Sequence, residues 1–180
     1  MKFINPLMFI DPKNRKKVLI FLLSAIILIF IVFRFLDIPL QTDAAPSGIV
    51  SFELAGSQEK TGQILASWDV RAKLFAAFGL GFDYLFMVVY ATFISLICLM
   101  ASERYTGWFS RLGTLLGWGA YLAALFDTVE NIALWNLLSS DISHIWPILA
   151  MWCASFKFTF IIIGLLYGII GWVYPMNKNS

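Results

Sequence analysis

The chain has 180 residues, 60% hydrophobic and 13% charged, with a net charge of +2. Such a composition allows a single domain and excludes an ordinary soluble fold. The basic residues gather near the ends of apolar runs, so the small positive charge gives no ground for a nucleic-acid partner, and none is expected.

Residues 1–17 mix Phe3, Ile4, Leu7, Met8, Phe9 and Ile10 with lysines and two prolines, Pro6 and Pro12. This pattern reads equally as a cytoplasmic segment lying on anionic lipid headgroups or as a disordered tail that sets topology. The first apolar run, 18–36, has the roughly 20 residues that a membrane-spanning helix needs. It reads as a retained anchor and not a cleaved signal peptide, because it exceeds a usual signal core and because Arg34 and Asp37 separate it from the small residues Ala44 and Ala45. Arg34 lies near its outer end, either snorkelling to the headgroups or joining a buried site, and Asp37 at i+3 can pair with it.

Residues 37–73 form an outer loop that is more than a linker. Pro39, Pro46 and Gly48 break helix, and the run Ile49-Val50-Ser51-Phe52-Glu53-Leu54-Ala55 carries apolar side chains that must pack on something. From about Gln58 the positions Ile64, Leu65, Trp68, Ala72 and Phe75 recur every three to four residues. They predict an amphipathic helix running into the second span. Together these pieces make a lid or cap whose most distinctive side chains are Glu53 and Trp68.

The second span, 74–100, carries Asp83 with Tyr90 two turns further along the same face. An aspartate there must turn away from lipid. Residues 101–111 form a short basic loop with Trp108 at the interface. The third span, 112–138, begins with Gly113, Gly117 and Gly119 and then becomes polar at Asp127, Glu130 and Asn131, with Trp135 one turn on. After a short loop, 139–144, in which His144 beside Asp141 reads as a loop residue, the fourth span covers 145–174. It carries Trp152 and Lys157, then Gly164, Gly168 and Gly171, and a tail of residues 175–180 follows.

Lys2, Lys13, Arg15, Lys16, Lys17, Arg104, Arg111 and Lys178 outnumber Lys60, Arg71 and Lys73 on the other side. The positive-inside rule then puts both termini in the cytoplasm of a multi-pass cell-membrane protein. The expected fold is all-α, a polytopic four-transmembrane-helix bundle with an outer amphipathic loop or helix between the first two spans. The glycine-rich halves of the third and fourth spans are expected to pack face to face, and they also offer a face for a homo-oligomer. Cys98 and Cys153 lie on different spans at different depths and read as small packing residues.

Charged groups at bilayer depth are rare and mark a functional site by default. Asp127, Glu130 and Asn131 share one helical face through their i, i+3, i+4 spacing. With Asp83 they set three acids against Lys157 and Arg34, which leaves one carboxylate in excess and a proton held among them. The arrangement implies a polar cavity, open to the outside or covered by the first loop. Asp127, Glu130 and Lys157 are the candidate acid–base residues, and Asp83, Tyr90, Asn131, Trp135, Arg34 and Trp152 are candidate ligand contacts, with Phe82, Phe86 and Phe156 against an apolar portion.

No metal and no cofactor are expected: the chain has no His/Cys cluster, phosphate-binding glycine loop or nucleophile elbow. The implied partner is a membrane lipid or other amphiphilic small molecule, held in the cavity, and acid–base chemistry is the processing these residues allow. Proton-coupled or ion transport is the alternative that suits the extra proton, although no internal repeat supports it. An accessory subunit, in which buried ion pairs serve only as interhelical glue, is the other.

Overall fold

The computed structural model describes residues 4–139 and 143–174. Lys2, Asp141 and the tail with Lys178 lie outside the described residues. Among those described the chain is all-helical, with six α-helices and no strand: α1 (Pro12–Asp37), α2 (Ile49–Glu53), α3 (Gln58–Ser67), α4 (Val70–Ser102), α5 (Gly107–Leu138) and α6 (Ile145–Val173). Four segments, Pro12–Leu40, Val70–Ser102, Gly107–Leu138 and Ile145–Val173, are long and apolar enough to cross a membrane. An integral membrane protein of the multi-pass kind requires such helices.

The helices start where capping chemistry allows. Asp11 accepts the amide of Lys13 at 2.8 Å, with Pro12 as the first residue of α1. The helix therefore begins six residues before the apolar run, and the basic residues at 13, 15, 16 and 17 form its first turns. Asp69 likewise accepts the amide of Ala72 at 2.7 Å and starts α4. Here the expectation of one helix leading into the second span is corrected. The apolar period does continue from Ile64 to Phe75, but α3 stops at Ser67 and Trp68 is extended, with φ −90° and ψ 124°. Two competing bonds explain the break: Asp69 caps the new helix, and the Trp68 indole donates to the Leu40 carbonyl at 2.9 Å.

The chain divides into two compact units, one of Met1–Ile26, Val88–Ala124 and Phe158–Ser180, the other of Ile27–Met87 and Leu125–Lys157. In the first unit five glycines accept larger side chains. A methyl group on Gly164 or Gly168 of α6 would come within 2.6 Å of Ile94 or Ile97 of α4. Gly113 faces Tyr167, whose hydroxyl donates to Phe109 O at 2.9 Å, Gly117 faces the Asn5 amide, and Gly119 faces Phe160. The glycine-rich halves of α5 and α6 do meet, through Gly113 against Tyr167 and Gly119 against Phe160, and the contact is of glycine against a larger side chain; Gly117, Gly164 and Gly168 likewise receive Asn5, Ile94 and Ile97.

The N-terminal segment supplies one of these side chains. Asn5, Leu7 and Arg15 are buried, and the Trp118 indole donates to Ile4 O at 3.0 Å. Arg15 donates to Ile10 O and pairs with Glu103. The segment is therefore tucked into the unit through the notch at Gly117, where a surface position on the headgroups or a disordered tail was expected.

The second unit has its own apolar cluster, made of Leu40, Ala45, Phe52, Ala55, Ile64 and Trp68 from the loop region and Ala72, Ala76, Leu80, Ala133, Leu134, Leu137 and Ala150 from the long helices. The loop region is thus a folded cap. The apolar run at 49–55 becomes α2, with Phe52 only 1% exposed and its ring 5.1 Å from that of Trp68. Asp37 accepts the amide of Ile49 at 2.8 Å and so ties α2 to the end of α1. Gly48 and Gly56, on either side of α2, have φ of +56° and +70°, in the left-handed region that favours glycine.

Candidate functional site

The polar stretch of α5 meets α6 inside the second unit. Spacing of three and four residues puts Asp127, Glu130 and Asn131 on one helical face, and their residues are 2%, 0% and 3% exposed. Lys157 of α6 answers them. Its ammonium donates to Asp127 Oδ1 and to Glu130 Oε1, each at 2.9 Å, and Glu130 Oε2 is also 2.9 Å away. These are charge-assisted contacts in a water-poor setting, where an unpaired member would be costly.

A third carboxylate comes from the cap. Glu53, the last residue of α2, places Oε2 3.8 Å from the Lys157 ammonium. Sequence reasoning singled out Glu53 as a lid residue but left it outside the site. The available signal was an acid inside a run of apolar residues that had to pack; what it packs beside is set by the tertiary fold. Burial raises the pKa of the Glu53 carboxyl, with the Lys157 ammonium opposing the rise and Asp127 adding to it. Its Oε2 is buried without a hydrogen-bond partner among the described residues.

Asp83 of α4 turns inward, as lipid avoidance requires. Its Oδ2 accepts the Asn131 amide at 2.9 Å, and the same amide nitrogen lies 3.3 Å from Leu80 O. Arg34 takes the outward one of its two alternatives: it is exposed and makes no ion pair among the described residues, and Asp37, its i+3 neighbour, directs its carboxylate to the Ile49 amide and to Gln41 at 3.0 Å. The charge count changes with it: Glu53, Asp127 and Glu130 surround one ammonium, and Asp83 stands beside Asn131.

The remaining expected contacts are divided. Tyr90 is buried and belongs to the first unit. Trp152 is 54% exposed and stacks on Phe156 with ring centroids 6.0 Å apart, and Phe156 stacks on Phe126 at 5.3 Å. Phe82 and Phe86 pack edge-on against Phe33 at 5.5 Å, and Phe86 also against Phe30 at 5.3 Å. His144 is exposed, consistent with a loop position, and both cysteines are free thiols.

The charges are buried, with Glu53 of the cap beside the Lys157 ammonium. Open space lies beside them, between α4 and α5. One groove of about 210 Å³ is lined by Ala77, Leu80, Gly81, Tyr84, Asn131, Ile132 and Trp135. A second, of about 270 Å³, is lined by Val70, Lys73, Leu74, Ala77, Trp135, Leu138 and Ser139. Asn131 therefore forms part of a groove wall while its neighbour in sequence and its i−4 residue hold Lys157.

Chemically, one ammonium among three carboxyl groups is short of positive charge. In a low-dielectric setting the excess must be balanced by protons or by a positively polarised ligand. Among the described residues no group of three or more His, Cys, Asp or Glu side chains has the arrangement of a metal site. No family model, curated protein or solved structure matches the chain.

Proposed function

We propose that this is a four-span membrane protein, both termini cytoplasmic, that binds a membrane amphiphile in the α4–α5 groove. Asp127, Glu130 and Lys157 then form an acid–base centre next to the bound molecule, closed from the other side by the cap. The observation that supports this reading is the double position of Asn131. It lines the groove, it holds Asp83, and it shares a helical face with the two carboxylates that grip Lys157. A hydrogen-bonding group of the ligand reaching Asn131 would sit one residue from the cluster. The exposed rings of Tyr84 and Trp135 suit the apolar part of such a molecule.

The test is native mass spectrometry of the purified protein beside Ala77→Trp, which fills the stretch shared by both grooves. A molecule of defined mass carried by the wild type and lost from a variant that keeps its thermal stability supports the reading. Equal retention in both, or no bound molecule in either, would overturn it.

A second reading has a specific observation in its favour. Lys157 ties α5, α6 and the cap together with side chains that are at most 12% exposed, as interhelical glue would. Thermal unfolding of Lys157 variants measures that contribution directly.

A further inference from the structure

We propose that the α4–α5 groove selects a lipid with a phosphate-bearing headgroup, contacted by Lys73 at one end while the acyl chain runs toward Asn131. This rests on the reading of the groove as an amphiphile site and goes beyond it in naming the class of ligand and its direction.

The two grooves share Ala77 and Trp135, so they are stretches of one track. On α4 the lining positions Val70, Leu74, Ala77, Gly81 and Tyr84 advance by three or four residues, which keeps them on a single face. From Val70 to Tyr84 the track is about 20 Å long at 1.5 Å per residue. That length suits an extended acyl chain, and the side chains between its ends are almost all apolar.

The two ends differ in charge. At one end stand Lys73, half-buried, and the exposed hydroxyl of Ser139. The carboxylate four residues before Lys73, that of Asp69 just ahead of α4, accepts the Ala72 amide in capping the helix. Lys73 makes no ion pair among the described residues, while neighbouring Arg71 lies over the Phe75 ring at 5.4 Å. At the other end Asn131 is bonded to Asp83, beside a cluster rich in acids. A phosphate placed there would meet like charge. The field along the track therefore fixes the direction: anionic head at Lys73, where headgroups lie if α4 spans the bilayer, and chain inward.

The experiment uses the full chain in micelles of a phosphate-free maltoside detergent, with brominated-chain phosphatidylglycerol or brominated-chain diacylglycerol as the probe. Quenching that disappears in Trp135→Phe isolates the groove from the other tryptophans. The phosphate lipid is expected to bind about fivefold more tightly than diacylglycerol, the factor that one lysine contributes near a membrane surface. Lys73→Gln should erase that difference without changing thermal stability, and Lys73→Arg should retain it. Equal saturable quenching by both lipids in the wild type would overturn the headgroup assignment and leave the groove reading in place. No saturable Trp135-dependent quenching by either lipid would overturn both.

Discussion

Replacing Lys157 by Met keeps the apolar stem and most of the side chain's length and removes the ammonium with its charge and its hydrogen bonds. The ammonium has two contacts of 2.9 Å, to Asp127 and Glu130, and a third carboxylate at 3.8 Å; the four side chains are 7%, 2%, 0% and 12% exposed. None reaches enough water to recover its hydration. Loss of one partner from such a buried arrangement costs about 3–5 kcal/mol, because the carboxylates are left uncompensated. For a chain of this size each kcal/mol is about 2–4 °C in Tm, so the expected loss is about 6–20 °C. The assay is thermal unfolding in a fixed detergent, followed by circular dichroism and by size-exclusion chromatography. Combining Lys157→Met with Asp127→Asn and Glu130→Gln removes the uncompensated charge and should restore most of the loss, since neutral replacements of buried ion pairs are often harmless. A single Lys157→Met variant within about 3 °C of the wild type would refute the reasoning. A restored triple variant that still binds the groove ligand would separate the cluster's role in stability from any role in binding.

Two further outcomes follow from the cap. Burial holds the Glu53 carboxyl above its ordinary pKa of 4.5, so the docked cap retains a proton that the undocked chain would release. Its contribution is full below pH 4.5 and is lost as pH rises through the higher folded value. The Tm of the wild type should therefore carry a downward slope with pH that flattens in Glu53→Gln, and parallel slopes would exclude it. The glycines give an internal contrast: Gly48 has φ +56° and any Cβ there would run into the Asp37 carboxylate, whereas Gly62 in α3 has open space around it. Gly48→Ala should destabilise, and Gly62→Ala should stabilise by up to about 1 kcal/mol through helix propensity; thermal denaturation of the pair checks the sign of each.

The helices long enough to span a membrane were legible because a run of twenty or more apolar residues has few other uses. So was the convergence of Asp127, Glu130 and Lys157, since each charge at such a position needs a partner. What the sequence could not tell was which partner. Arg34 and Glu53 each had an i+3 or loop explanation, and only the fold of residues 38–69 decides that Glu53 faces Lys157 while Arg34 faces outward. The break at Trp68 was hidden because the apolar period continues across it, and a cap formed by Asp69 overrides periodicity locally. Glycines at 113, 117, 164 and 168 announced close approach but not the approaching group. A missing side chain is equally good at receiving a helix backbone, an isoleucine or the amide of Asn5.

The cap and the charge cluster are also mechanically linked. Glu53 follows Phe52 in α2, and Phe52 is seated against Trp68, whose indole is anchored on Leu40 O. The backbone placement that buries the ring thus delivers the carboxylate to Lys157. Any movement of α2 that carries Glu53 away from the ammonium withdraws Phe52 from the apolar cluster as well, at a cost of about 1.5–3 kcal/mol. Conversely, a change that leaves Glu53 more strongly charged weakens the seat of Phe52, because the two side chains share one short helix. The sequence Phe52-Glu53 therefore couples an apolar anchor to a titratable one. Access to the acid–lysine centre from the cap side requires both to release together.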